Sequence, residues 1–353
     1  MMNVIAIDVA SEVSSVCVLN SRGQVKVKEL VATKISEFKR IIKSVPRPRQ
    51  LVFEEGTQAA WLWSELQALC DDTLVCDPRQ NRELSGQFKT DENDTRNLGL
   101  RAQGNLLKRV WHGGQDLQAL KESVRAYQSL TQESVRLKNQ LKAVFRSRGI
   151  AVGQKAYSPK TRKQAAQSLA FAAQRERVMM LGVVLDAVAE QRAKALKGMT
   201  KLARKNKMYK PLRKVDGIGP IFGAMFISEV GDAKRFRTSR QLLSYAGLAI
   251  MTHESSEYEL NAGRAVRKAR ALRTRGLVRR YNRTLKYVFK QAAMTLSRTK
   301  WSAQYQQLCE NSKNSNNAQL TLARKLAGVM LRIAKTGEKY DIAKVFVAKK
   351  SSS

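Results

Sequence analysis

Four carboxylates in the first hundred residues occur at positions that could bring them together. Asp8 closes the first apolar run of the chain, and Glu54 closes another at Leu51–Glu54. Asp91 and Asp94 are three residues apart in a predicted helix, which places both on one helix face. Oxygen ligands of this kind select Mg²⁺ or Mn²⁺, and a two-metal clamp on a phosphodiester needs about four carboxylates. We therefore interpret these four residues as candidate metal ligands and catalytic residues.

Each of these carboxylates also has an ordinary interpretation. A carboxylate in a buried strand is costly unless something pairs with it, and a bound cation is one solution for Asp8; alternatively, Asp8 simply begins a loop. Asp91 and Asp94 repel each other, and a divalent cation between them and Asp8 would remove that repulsion. Alternatively, they form a solvated helix start in which Asp91 favours the helix dipole. Spacing alone leaves both interpretations open.

The apolar pattern around these residues predicts an α/β domain. Strands are predicted over residues 3–9, 15–20, 25–32, 51–54 and 73–77, and helices over 35–45 and 61–69. Three strands, a helix, a strand, a helix and a strand is the order of an RNase H-like, RuvC-like domain. That fold gathers its carboxylates at the ends of the first and fourth strands and on a later helix.

Two long helical patterns follow the acidic segment. Apolar residues from Leu117 to Val144 recur at spacings of three, four and seven, which is typical of a coiled-coil helix. A second helical pattern runs from about Ala165 to Arg204, and Gly149 and Pro159 mark the connection. These helices could form a dimer or a spacer between domains. An internal two-helix hairpin explains them equally well.

The last third of the sequence predicts a mostly helical domain that contains a glycine turn. Gly217 and Gly219 belong to a G-I-G turn that opens a small-residue helical run from Ile221. This is typical of helix-hairpin-helix modules, in which backbone N–H groups face a DNA phosphate. A tight turn between packed helices would need the same glycines. A final helix is predicted over Leu320–Ala334.

The charge of the chain is large and unevenly distributed. The formal net charge is +36, yet residues 1–100 hold 13 Lys and Arg against 14 Asp and Glu. Nine cations and no acid occupy residues 264–283: Arg264, Arg267, Lys268, Arg270, Arg273, Arg275, Arg279, Arg280 and Arg283. Such a stretch predicts a polyanionic partner, by default nucleic acid. An acidic membrane surface is the alternative, but no basic amphipathic anchor stands at a terminus.

Other classes of protein are disfavoured by composition. No apolar run approaches the ~20 residues of a membrane span, and no signal peptide opens the sequence. The four cysteines are scattered without a CxxC pair, which argues against a zinc knuckle and for reduced thiols. With only two histidines, a histidine-built metal site is disfavoured. We expect a cytoplasmic, bacterial protein.

Together these motifs resemble the insertion-sequence-110 family of transposases, the bridge-RNA-guided recombinases that include the pilin-gene invertases. The front of the chain matches as IAIDVA, LVFEEGT and KTDENDTR, which carry Asp8, Glu54, Asp91 and Asp94 in the family's D-E-D-D order. The back matches as VDGIGPIFGAMFISEVG, RFRTSRQLLSYAGL and the HESS segment. The resemblance covers nearly the whole chain.

The resemblance implies a mechanism that the residues alone do not. In the family, the serine at the position of Ser255 is the nucleophile, and a phosphoserine intermediate forms in a Mg²⁺-dependent reaction. The resemblance also implies a structured bridge RNA that chooses the DNA, and a homo-oligomer (a dimer assembling to a tetramer) whose protomers share a composite site. Ser256 stands where the family usually has glycine, and Glu55 adjoins Glu54, so Ser256 and Glu55 remain alternatives. The number of residues to the following W-x-x-E-L-like helix favours Glu54 as the second carboxylate of the set.

We predict four regions on this basis. Residues 1–108 form a RuvC-like DEDD domain, 109–205 a coiled-coil or dimerisation region, 206–345 a C-terminal domain with the catalytic serine, and 346–353 a disordered tail. The first rival function is a RuvC-like nuclease that uses metal-activated water and no covalent serine. The second is a non-catalytic nucleic-acid binder that has kept the fold, which gives no physical reason to keep four converging carboxylates.

Overall fold

The computed structural model describes residues 2–79, 91–253, 258–261, 264–267, 273–312 and 314–346. Within these ranges, the side chains of residues 91–93, 252–275 and 344 lie outside the description. The chain divides into two compact units, Met1–Gln118 and Ala119–Ser353. Beyond residue 346, the predicted tail lies outside the described residues. In the described part, no helix is long and apolar enough to cross a membrane.

A five-stranded sheet forms the centre of the first unit. Its strands are β1 (Asn3–Asp8), β2 (Val13–Leu19), β3 (Val25–Ala32), β4 (Arg49–Glu54) and β5 (Asp72–Cys76). The order across the sheet is β3-β2-β1-β4-β5. Neighbours among β3, β2 and β1 are antiparallel, whereas β1, β4 and β5 run parallel. The five strands predicted from the apolar pattern are all present, with ends that differ by at most two residues.

Helices cover both faces of this sheet. They are α1 (Ile35–Ser44), α2 (Ala59–Leu66) and α3 (Asp91–Gln103). Alternate residues of a strand point to opposite faces. Ile5 of β1 therefore shares a core with Phe38 of α1 and Leu62 of α2, whereas Ala6 shares another with Leu98 of α3. Burial on both faces explains why the β1 sequence is continuously apolar.

The second unit contains a helical hairpin built from α4 (Gln115–Arg146), α5 (Pro159–Gln167) and α6 (Ala172–Lys205). Leu141 and Phe145 of α4 share a buried core with Val178 and Leu185 of α6. This part of the apolar face of α4 therefore packs within the chain, as expected for an internal two-helix hairpin.

The predicted helical stretch from about Ala165 to Arg204 is divided between two helices. The helix is interrupted between Gln167 and Ala172. Leu169 in this interruption is buried in the hairpin core, and Arg175 Nη1 donates hydrogen bonds to the carbonyls of Leu169 and Ala170 at 2.6 and 3.0 Å. Tertiary packing and a side-chain donor thus stabilise a turn in a segment that contains no Gly or Pro to predict it.

Arg162 of α5 forms a buried link to α6. Its side chain is only 3% exposed, and Nη1 and Nη2 each donate to the Asp186 carboxylate at 2.7 Å. Its Nε and Nη2 also donate to the carbonyls of Ala156 and Tyr157, both at 3.1 Å. A Cβ added at Gly182 of α6 would overlap the Arg162 side chain. The absence of a side chain at Gly182 therefore makes room for the ion pair.

We expect Gly182→Ala to destabilise the hairpin by about 2 kcal/mol, because Arg162 is held on several sides and cannot move away. Gly198→Ala on the same helix is the matched control, since its added Cβ would meet only Ser123 Oγ at 4.0 Å. That change should stabilise the protein by up to ~1 kcal/mol through helix propensity. Urea unfolding followed by circular dichroism measures both, and equal effects of the two variants would contradict the close packing at Gly182.

The remaining helices of the second unit form its C-terminal core. They are α7 (Tyr209–Leu212), α8 (Pro220–Val230), α9 (Ser239–Tyr245), α10 (Arg283–Leu296), α11 (Ser302–Glu310), α12 (Ser315–Thr336) and α13 (Ala343–Phe346). Helix α12 packs against α10, and α10 packs against α8. Leu322 and Leu326 are among the buried residues of α12. The predicted final helix is present and extends further at both ends.

Four short strands interrupt this helical region, and the sequence analysis missed them. They are β6 (Ile250–His253), β7 (Tyr258–Asn261), β8 (Arg264–Arg267) and β9 (Arg273–Leu277). β6 pairs with β9 and β7 pairs with β8, both antiparallel. Runs of four or five residues are too short for a clear apolar alternation, and β8 and β9 are in addition rich in arginine.

Candidate functional site

A small cavity lies at the carboxyl ends of two parallel strands of the first unit. Asp8 is the last residue of β1 and Glu54 the last residue of β4. The two strands are paired as neighbours, with Ile7 opposite Phe53, so both carboxylates reach the same edge of the sheet. They line one cavity of about 220 Å³ together with the segments that follow each strand. The structure therefore places Asp8 and Glu54 at one cavity.

The environment of Asp8 differs from the expectation in one respect. The burial of β1 ends at Ile7, and Asp8 itself is exposed. Solvent therefore reduces the desolvation cost that was expected to force Asp8 to bind a partner. The position of Asp8 at the cavity, not a burial penalty, is what links it to the other carboxylates.

His112 distinguishes the two adjacent glutamates. Its Nε2 lies 2.6 Å from Glu55 Oε2, its side chain is 8% exposed, and its ring stacks on Trp63 with centroids 5.9 Å apart. The Glu55 carboxylate is thus engaged by a buried, stacked ring. Burial is the main cause that raises the pKa of the Cys76 thiol to about 12, and the nearby Glu54 carboxylate contributes to the same shift. The sequence analysis missed His112, because its partner is distant in the chain.

A buried hydrogen bond positions the start of α3 at the same edge of the sheet. Thr95 Oγ1 donates to Ser15 Oγ at 3.0 Å, and Ser15 pairs directly with Asp8 across the β1–β2 ladder. The close approach of α3 to the sheet requires a small residue at Gly99, where a Cβ would lie 2.7 Å from Leu19 Cδ1. The first turn of α3 therefore lies near the strand end that carries Asp8.

The structure describes the side chain of Asp94 but not that of Asp91. Asp94 precedes Thr95 directly and is partly exposed. Asp91 is the first residue of α3, but its side chain lies outside the described residues. Neither Ser15 nor Thr95 was singled out from the sequence, because a hydroxyl pair 80 residues apart leaves no local signal.

The chemistry of the donor set fits a hard divalent cation. Asp8, Glu54 and Asp94 offer only carboxylate oxygens, the ligands that Mg²⁺ and Mn²⁺ prefer. Among the residues that the structure describes, no three His, Cys, Asp or Glu side chains are grouped closely enough to hold a metal ion. The side chain of Asp91, one of the four predicted ligands, is not among those described.

The predicted nucleophile lies outside the described residues. Ser255 and its neighbour Ser256 belong to residues 254–257, between β6 and β7. The carboxylates belong to the unit 1–118 and the serines to the unit 119–353. Within the described part of the chain, the structure therefore brings Asp8 and Glu54 together but leaves the position of the serine untested.

The predicted cationic residues are divided among strands and a helix start. Arg264 and Arg267 bound β8, and Arg273 and Arg275 belong to β9. Lys268 and Arg270 lie outside the described residues, whereas Arg279, Arg280 and Arg283 are exposed. Exposed cations at the last three positions are compatible with phosphate contacts.

The predicted glycine turn is present between α7 and α8. Gly217 has φ +73°, and a Cβ there would lie 3.0 Å from Leu296 Cγ, so this glycine is required by conformation and packing. The turn is further held by Arg213, whose Nη1 donates to the Ile218 carbonyl at 3.0 Å. At Gly219, an added Cβ would meet only Arg213 Nη1, at 3.8 Å. A packed turn accounts for Gly217, and phosphate binding at this turn stays a prediction.

Comparisons with known proteins match two separate parts of the chain. Residues 5–148 match the DEDD model of transposases, and residues 209–307 match a model described as the transposase IS116/IS110/IS902 family. The chain is therefore a transposase, a class of enzyme that cuts and rejoins DNA. It belongs to the IS110 family, which confirms the resemblance found in its motifs. The chain is also 25% identical to the y4qE protein of Sinorhizobium fredii, named as a transposase, over 94% of this chain and 88% of that protein.

Proposed function

We propose that this transposase cleaves and rejoins DNA at a divalent-metal site formed by Asp8, Glu54, Asp91 and Asp94. The observation that carries the proposal is the cavity that Asp8 and Glu54 line together at the ends of β1 and β4. The Thr95–Ser15 hydrogen bond supports the inclusion of the helical aspartates, because it draws the start of α3 to that edge. Mg²⁺ or Mn²⁺ is the proposed cofactor.

The sheet order supports an RNase H-like, RuvC-like fold for the first unit. Three antiparallel strands followed by two parallel strands, in the order β3-β2-β1-β4-β5, is the arrangement we expect for that fold. It puts the first and fourth strands side by side. The family's carboxylate positions at the ends of those strands then coincide with Asp8 and Glu54.

The residues of the first unit have separable roles in this proposal. A bound divalent ion would polarise the scissile phosphate and stabilise the charge that develops on it. Asp8, Glu54, Asp91 and Asp94 would hold that ion through carboxylate oxygens. Glu55 lines the same cavity, and its contact with His112 would fix the orientation of both side chains. Thr95 and Ser15 set the distance of the helical pair from β1.

The proposed covalent step uses Ser255. Its Oγ loses a proton to a base or to water and attacks the phosphorus, which forms a Ser255–phosphate ester. The bond between that phosphorus and one deoxyribose oxygen breaks, and this oxygen takes up a proton to become a free hydroxyl. A hydroxyl of another strand then attacks the phosphoserine and releases Ser255. The number of phosphoester bonds is unchanged throughout, so rejoining needs no external energy source.

The proposed partners are DNA, a structured bridge RNA and further copies of the chain. The basic residues between Arg264 and Arg283, together with the Gly217–Gly219 turn, would contact nucleic-acid phosphates. The surplus of cations beyond residue 100 supports a polyanion of either kind. A second apolar face of α6, with Met180 64% and Val183 66% exposed, supports a homo-oligomer in which this helix meets its copy. The composite site, with serine and carboxylates from different protomers, rests on the family resemblance alone.

The first test compares the wild type with Ser255→Ala, Ser256→Ala and Asp8→Ala on denaturing gels. Protein is incubated with Mg²⁺, bridge RNA and labelled DNA spanning the element junction. We expect a labelled band at protein mass that Ser255→Ala and Asp8→Ala abolish and Ser256→Ala retains, because only one hydroxyl can form the ester.

Two outcomes separate the rivals. Cleavage without an adduct that survives Ser255→Ala but needs Mg²⁺ would replace this mechanism by a RuvC-like nuclease using metal-activated water. Binding without cleavage, unaffected by chelation of Mg²⁺, would leave a nucleic-acid binder. An adduct that depends on Ser256 instead of Ser255 would move the nucleophile by one residue.

A further inference from the structure

A groove of about 960 Å³ opens on the second unit, between α4, α8 and α10. It is at the upper end of the range of ~300–1,000 Å³ that is typical of ligand sites. Among the described residues, neither the turn at Gly217 nor the carboxylates Asp8, Glu54 and Asp94 line this groove. The groove is thus a separate feature from the cavity that Asp8 and Glu54 line.

Aromatic side chains from all three helices line this groove. Phe222 of α8 and Tyr287 of α10 meet edge to face, with ring centroids 6.0 Å apart and an interplanar angle of 85°. Tyr127 of α4 lines the same groove. Tyr287 is 50% exposed although it is held by this contact. A ring that is fixed at one edge and open to solvent elsewhere can stack on a planar ligand.

The rest of the lining combines the apolar side chains of Val135, Ile221 and Met225 with polar and cationic ones. Gln128 Nε2 donates to Thr284 Oγ1 at 3.2 Å, which ties α4 to the first turn of α10. Exposed amides from Gln132 and Asn139 follow along α4. Arg283 lines the groove and is exposed, and among the described residues no carboxylate pairs with it. No Asp or Glu is found among the described residues that line the groove.

We propose that this groove binds unpaired bases of a DNA strand, with the aromatic rings stacking on the bases and Arg283 contacting the backbone. Aromatic faces beside amide groups and a cation are the combination that single-stranded nucleic acid requires. An amphipathic peptide helix could cover the apolar residues of the groove but would leave the amides and Arg283 without matching groups. The inference rests on the proposed cleavage and rejoining for its source of unpaired bases, because a strand that changes partners must leave its duplex.

The test measures binding of the full-length protein, without Mg²⁺, to a single strand of about 12 nucleotides that contains 2-aminopurine. We expect Tyr287→Ala to weaken binding about tenfold and to abolish the fluorescence quenching that stacking causes. Tyr287→Phe should retain both, because the ring remains. Phe171→Ala, which removes a ring that is 53% exposed outside the groove, is the matched control and should change neither.

Duplex DNA and single-stranded RNA complete the design. Affinity for a duplex of the same length should change less than about twofold in Tyr287→Ala, since phosphate contacts dominate that binding. Equal losses for the single strand and the duplex, or no loss for either, would overturn the proposal. A loss confined to RNA would assign the groove to RNA instead. Because no cleavage is measured, failure of the serine mechanism would not affect this result.

Discussion

Glu54→Gln is expected to abolish DNA cleavage, with a loss of rate of about a thousandfold or more. The carboxylate ends β4 beside Asp8 and lines the same cavity. An amide of nearly the same size keeps the shape of the side chain but removes the charge that would hold a divalent cation. Metal ions contribute several kcal/mol of transition-state stabilisation, which corresponds to three or more powers of ten in rate. Single-turnover cleavage of labelled junction DNA in Mg²⁺ measures the loss.

Glu55→Gln provides the matched control. The two glutamates are adjacent in sequence and line the same cavity, but Glu55 Oε2 lies 2.6 Å from His112 Nε2. We expect a loss of only about 10- to 100-fold, the usual effect of a residue that supports ligands instead of binding the metal. The assignment is contradicted if Glu55→Gln is the inactive variant and Glu54→Gln cleaves normally.

Arg162→Ala should destabilise the second unit by about 3 kcal/mol. The guanidinium is buried and donates to Asp186 and to the carbonyls of Ala156 and Tyr157. Its removal leaves buried acceptors without a donor and opens space beside Gly182. Breaking a buried pair by removing one partner costs about 3–5 kcal/mol, and we take the lower end because the Asp186 side chain is 36% exposed. Urea unfolding followed by far-UV circular dichroism measures the change.

A surface ion pair on α4 serves as the comparison. Arg125 and Glu122 are linked at 2.6 Å, but both side chains are 69% exposed. Arg125→Ala should change the free energy of unfolding by less than ~0.5 kcal/mol, because solvent screens an exposed pair. Similar losses in Arg125→Ala and Arg162→Ala would mean that burial does not set the strength of the Arg162 link.

The sequence by itself determined the sheet of the first unit. Each strand contains an apolar pattern of its own, and Val4–Ile7 of β1 are continuously apolar because this strand is covered on both faces. Asp8 and Glu54, which end two of these runs, can therefore be identified from the sequence alone. Local patterns were sufficient because strand formation and burial here depend on consecutive residues.

Elsewhere the local pattern was insufficient. The helix predicted from Ala165 is interrupted by a turn that tertiary contacts of Leu169 and Arg175 stabilise. The short arginine-rich strands β8 and β9 have no apolar alternation that could indicate them. In both places the decisive interactions are not encoded in the spacing of neighbouring residues.

Only the tertiary structure decided how the candidate site is supported. The Thr95–Ser15 hydrogen bond joins residues 80 positions apart, and the Glu55–His112 contact joins residues 57 apart. The groove beside Tyr287 likewise combines side chains from three helices. Hydrogen bonds and stacking depend on distances of a few ångströms, and sequence separation carries no information about such distances until the chain has folded.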